Sequence, residues 1–132
     1  MKKLNKESTK TMVKLIGKME DGYAKIDNGG DGIMAVSIED IGTRIGNQII
    51  SVAHYYKQNG DLMADPEVTF MKIETDGNTE FFPLSYKQAS LGMDREYVIF
   101  EDEKIRFDRS KQNDLKNFCN NWFKNIADQQ KI

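Results

Sequence analysis

The chain has 132 residues, 39% of them hydrophobic, enough for one buried core and too few for two domains of ordinary size. Its 19 basic and 21 acidic residues leave a formal net charge of -2, so no whole-molecule field draws it to nucleic acid or to anionic lipid. A single cysteine, Cys119, excludes an internal disulfide framework and any multi-cysteine zinc site, as expected of a protein of the reducing cytoplasm.

The segment Met1 to Met19 opens with lysines, but Lys14, Gly17 and Lys18 interrupt its apolar residues, so it does not read as a secretory signal. Nowhere do the roughly 18 consecutive apolar residues of a membrane span occur. From Asn5 to about Met19, Met12, Leu15, Ile16 and Met19 recur at helical spacing. Asn5 or Ser8 can cap this amphipathic helix, and Asp21-Gly22 can stop it. Tyr23 to Asp27 alternates briefly, the glycines of Asn28 to Gly32 predict a loop, and a strand follows from Ile33 to Glu39. Asp40 to Asn47 fits either one helical turn or a loop.

Gln48 to Lys57 and Leu62 to Glu74 carry the β-branched and aromatic residues of strands. Asn59-Gly60 between them is the strongest short-range hairpin signal, because both residues tolerate positive φ. A second turn at Asp76 to Asn78 leads to a strand from Glu80 to Leu84, and Tyr86 to Gly92 fits a short helix or loop. A last hairpin pairs Tyr97 to Phe100 with Lys104 to Phe107. Leu115, Phe118, Cys119, Trp122, Phe123 and Ile126 then form the clearest helical stripe, with Ser110 as its expected cap. The order helix, strands, helix predicts a single α+β domain over residues 1–132, a mostly antiparallel meander covered by N- and C-terminal helices.

If Asn59-Gly60 turns with Gln58 paired to Asp61, then Tyr56 faces Met63, His54 faces Asp65, Val52 faces Glu67 and Ile50 faces Thr69. Ile49, Ala53, Tyr55, Ala64, Val68 and Phe70 then share a core side. The other side gathers His54, Tyr56, Asp65, Glu67 and Thr69. A histidine across from one carboxylate and diagonal to another can share a proton or an ion. It can equally be a structural cross-strand pair, and a bulge favoured by Pro66 would undo the register.

Asp27 to Ile38 only superficially resembles a calcium loop, with Gly29 and Ile38 where ligands belong. Cys119, on the apolar stripe beside Trp122, reads as a buried, inert thiol. Phosphate-binding glycine loops, nucleophile elbows and paired-histidine zinc helices do not occur. Lys2, Lys3, Lys6, Lys10, Lys14 and Lys18 crowd the first helix, diluted by Glu7, Glu20 and Asp21, and a solvated helical face explains them.

From His54 through Glu67, His-Tyr-Tyr-Lys-Gln-Asn-Gly-Asp-Leu-Met-Ala-Asp-Pro-Glu, the chain resembles a family of small uncharacterised bacterial proteins of conjugative elements and prophages. The similarity extends to Tyr23 through Asn28 and to Phe118 through Gln130. What the resemblance implies is a mobile-element accessory protein in the bacterial cytoplasm. It brings no enzyme activity, ligand or catalytic residue.

Three functions fit the residues. The first is a non-enzymatic module that binds a protein partner through His54, Tyr56, Asp65 and Glu67, without a cofactor and away from membranes. The second is a metal-dependent hydrolase or nuclease in which His54, Asp65 and Glu67 hold a divalent ion. The third is nucleic-acid binding through the lysine face of the first helix. Whether the chain catalyses anything is left open by its sequence.

Overall fold

A computed structural model describes residues 1–132. The elements are α1 Lys6–Ile16, β1 Tyr23–Ile26, β2 Val36–Arg44, β3 Asn47–Gln58, β4 Asp61–Thr75, β5 Asn78–Gln88, β6 Met93–Glu96, β7 Val98–Glu101, β8 Lys104–Phe107 and α2 Arg109–Gln130. Strands β1 to β6 form one antiparallel sheet in chain order, and β7 and β8 form a separate hairpin. This is the α+β meander with terminal helices that the sequence predicts. None of its helices is long and apolar enough to cross a membrane.

Local chemistry sets the boundaries. Asn5 caps α1 by accepting the Ser8 N–H at 2.8 Å, and Asp108, rather than Ser110, caps α2 by accepting the Lys111 N–H at 3.0 Å. Helix α1 ends at Ile16, short of Met19. Asn59 and Gly60 have φ of 53° and 86°, the pair of positive values a two-residue hairpin turn needs. The segment from Asp40 to Asn47 is neither helix nor plain loop: β2 runs on to Arg44 through a bulge at Ile41-Gly42. The Asp40 Oδ1 holds that bulge by accepting the Gly42 N–H at 3.0 Å. Strand β5 likewise continues to Gln88 before one 3₁₀ turn, Ala89–Leu91.

Both helices cover one face of the sheet. Ile50, Val52, Val68, Phe70 and Phe81 meet Met12 and Leu15 of α1 and Leu115, Cys119, Phe123 and Ile126 of α2 in the main core. The Phe70 and Phe123 rings lie 5.4 Å apart and are fully buried, so truncating either to alanine costs about 3–5 kcal/mol. On the other face a smaller core of Ile49, Met71, Leu84 and Val98 sits under the β7–β8 hairpin, joined by Phe100 and Phe107.

This division corrects the expected register. From Gln58↔Asp61 to Tyr55↔Ala64 the pairing of β3 and β4 is as predicted, but below it the partners become Ala53↔Glu67, Val52↔Val68 and Ile50↔Phe70. Strand β4 carries one extra residue there, so Asp65 and Pro66, joined by a cis peptide bond, together oppose His54. Val52 therefore does not face Glu67, nor Ile50 Thr69. Every residue of β4 beyond the bulge changes its face relative to β3. Val68 and Phe70 thus join Ile50 and Val52 under the helices, and Ile49 packs with Met71 on the far side.

Two buried glutamines tie irregular chain to α2. Gln112 accepts the Lys2 N–H at 2.8 Å and donates through Nε2 to the carbonyls of Lys2 at 2.8 Å and Pro83 at 3.3 Å. Gln130 accepts the Asn28 N–H at 2.7 Å and donates to the Met34 carbonyl at 3.0 Å. The second pair of bonds fixes the glycine-rich loop between β1 and β2 against the end of α2.

Candidate functional site: the cleft beside the β3–β4 bulge

That loop, the bulge and α2 enclose a cleft of about 510 Å³, within the range of about 300–1,000 Å³ usual for ligand sites. One wall is Gly32, Ile33 and Met34 of the pinned loop. His54, Asp65 and Pro66 contribute the bulge, and Phe118, Trp122, Asn125 and Gln129 contribute one side of α2. Tyr86 and Gln88 of β5 close the remaining side.

Aromatic rings form its floor in a continuous series. Tyr86 meets Phe118 edge to face at 5.3 Å, Phe118 stacks with Trp122 at 5.9 Å, and Trp122 meets His54 edge to face at 5.5 Å. Phe118 is 37% exposed although it lies on the helical stripe, because it faces the cleft and not the core. Trp122 is only 7% exposed, and its indole Nε1–H is the one buried side-chain polar atom without a partner. Such a donor costs about 1–3 kcal/mol when left unpaired.

The polar groups have defined roles. His54, 7% exposed, bonds through Nδ1 to the Ala35 carbonyl at 2.9 Å. A carbonyl only accepts, so Nδ1 carries the proton of this bond. Asp65 is half-buried and is the only charged residue lining the cleft. The chain's ion pairs, Lys3 with Glu80, Lys72 with Glu74 and Arg106 with Glu101, leave it without a cationic partner. Burial pushes the Tyr86 hydroxyl pKa up, and the nearby Asp65 carboxylate pushes it further. The Tyr86 hydroxyl donates to Gln88 Oε1 at 2.5 Å.

The predicted site residues do not all meet. His54 and Asp65 share the cleft. Tyr56, half-buried, lies on the same face of β3 toward the hairpin tip. Glu67 lies on the opposite face of the sheet, where its Oε2 accepts from Ser51 Oγ at 2.7 Å and Tyr55 Oη at 3.4 Å. The bulge at Asp65-Pro66 is the physical reason: it turns Glu67 away from His54. His54, Asp65 and Glu67 therefore do not form one ligand set, and no three His, Cys, Asp or Glu side chains converge as a group able to hold a metal ion. Around Glu67, burial first and the Glu67 and Glu39 carboxylates next push the Tyr55 pKa up to about 12.

Lys2, Lys3, Lys6, Lys10, Lys14 and Lys18 are all exposed, with Lys3 paired to Glu80. Cys119 is fully buried, and burial pushes its thiol pKa well up, the state of an inert core thiol. Sequence reasoning missed Asn125, Gln129 and Tyr86 as cleft residues and Gln130 as the residue that holds the loop. A signal for Gln130 existed. Gln112, Leu115, Cys119, Trp122, Ile126 and Gln130 follow each other at steps of three or four, so both glutamines lie on the buried stripe.

One family, described as "Domain of unknown function (DUF6908)", matches residues 7–132. The chain belongs to that family. All the residues of the cleft fall within the matched span, as do both helices and every strand of the DUF6908 domain except the first residue of α1. No curated protein and no solved structure matches the chain.

Proposed function

We propose that this DUF6908 chain is a non-enzymatic protein-interaction module that holds a segment of its partner in the cleft between the β3–β4 bulge and α2. The observation that carries the reading is one juxtaposition. A carboxylate without a cation and an exposed aromatic ring line the same concave site. A half-buried carboxylate is held without a partner at a cost, and a bound polypeptide relieves it by supplying a donor. The aromatic floor provides the anchor that such contacts need. The resemblance from His54 to Glu67 supports a host or element-encoded protein as the partner, in the cytoplasm of a bacterium.

Selection of a displayed random-peptide library on the full chain tests this. Enriched peptides that bind wild type and lose binding to Asp65→Asn and Phe118→Ala are the expected result. If no peptide is enriched, or if enriched peptides bind both variants as well as wild type, the cleft is not the interaction site.

A further inference from the structure

Resting on the reading of the cleft as the partner's docking site, we infer that the partner inserts an arginine side chain there. Three features of the cleft converge on a guanidinium. The first is charge: Asp65 is the single ionised group in the lining, no lysine or arginine of this chain reaches it, and a cation is its complement. A phosphate or a nucleic-acid backbone would meet that carboxylate with no basic residue to offset it.

The second is shape. A planar, weakly hydrated guanidinium packs on aromatic surface, and Phe118, 37% exposed and bordered by Tyr86 and Trp122, offers such surface. The third is the number of acceptors. A guanidinium carries five N–H donors in a rigid fork. Asp65 accepts from it as a carboxylate, and Asn125 and Gln129 on the same wall carry side-chain carbonyls that can accept as well. A lysine ammonium, a strongly hydrated point charge, uses the carboxylate but gains less from the flat ring.

Trp122 is the only tryptophan of the chain and forms a wall of the site, so its fluorescence reports occupancy directly. The test titrates the full chain with the blocked peptide acetyl-Gly-Arg-Gly-amide. Its controls are the analogues with citrulline, which keeps the shape and loses the charge, and with lysine. The expected result is a saturable change with the arginine peptide that weakens about tenfold or more with citrulline, and by a similar factor in Asp65→Asn. Unchanged melting of Asp65→Asn shows that the loss is local. Equal response to arginine and citrulline, or undiminished binding by Asp65→Asn, overturns the arginine assignment. If the arginine peptide is silent while library-selected peptides without arginine change Trp122 fluorescence, the assignment fails and the docking site stands. If both are silent, both fail.

Discussion

Replacing Gln130 by leucine should strip the cleft of its loop wall while keeping the volume of the side chain. In the native chain Gln130 is fully buried, accepts the Asn28 N–H at 2.7 Å and donates to the Met34 carbonyl at 3.0 Å. Leucine removes both bonds and leaves one main-chain donor and one main-chain acceptor unpaired at partly buried positions. Each such group costs about 1–3 kcal/mol, and part exposure to water favours the lower half, so Gln130→Leu should lose about 2–4 kcal/mol. For a domain of this length that corresponds to a fall of about 6–16 °C in melting temperature. The Asn28 side chain, which donates to the Gln130 main-chain carbonyl at 3.3 Å, stays in place and limits the damage to the loop. Urea denaturation gives the stability change, and hydrogen exchange should show protection lost in residues 27 to 35 and retained in β3 and β4. A loss under about 1 kcal/mol, with the loop still protected, would refute the claim that Gln130 pins this wall.

Four further outcomes are expected. Phe118→Ala, at a position 37% exposed, should cost about 1–2 kcal/mol by chemical denaturation while abolishing peptide binding; a collapse of the fold would make Phe118 a core residue instead. A Cβ on Gly29 would stand 2.4 Å from Ile33 Cγ2 and 2.9 Å from the Gln129 carbonyl oxygen, so Gly29→Ala should destabilise by about 1–3 kcal/mol, and a neutral result by calorimetry would show that the loop yields. Tyr55 ionises near 10 when unfolded and at about 12 when folded, so the folded state keeps a proton that the unfolded state has lost between these values. Its contribution is whole below pH 10 and lost as pH rises through about 12, and Tyr55→Phe should flatten that decline; an unchanged alkaline profile would contradict it. Cys119 should resist a thiol reagent in the native chain and react only as the protein unfolds, whereas fast native labelling would mean that the helix interface opens.

The meander was legible because its turn chemistry is strong. Asn59-Gly60 set the central hairpin, and the apolar stripe of α2 announced a packed helix. The faces of the sheet were less legible. Residues 49 to 53 are buried in both directions, since the helices cover one face and the β7–β8 hairpin covers part of the other, so alternation alone does not say which side is the main core. Pro66 hinted at a bulge but not at its direction, and that single extra residue decides that Asp65 joins His54 while Glu67 leaves. The strand from Asp40 to Arg44 was hidden by Gly42 and Gly46, whose positive φ values of 114° and 72° serve a bulge and a tight turn rather than a loop. The cleft itself joins segments 102 residues apart through Asn28 and Gln130, a separation at which local pattern carries no information.

The most direct test of the cleft as a docking site is the indole N–H resonance of Trp122 in a proton–nitrogen correlation spectrum, the single such signal in the chain. Titration with a library-selected peptide should move that resonance saturably, because the Trp122 ring lines the cleft, together with the amides of Phe118, Asn125 and Asp65. A peptide that binds while the indole signal stays still, and that shifts amides on the far face around Glu67 instead, would contradict the account.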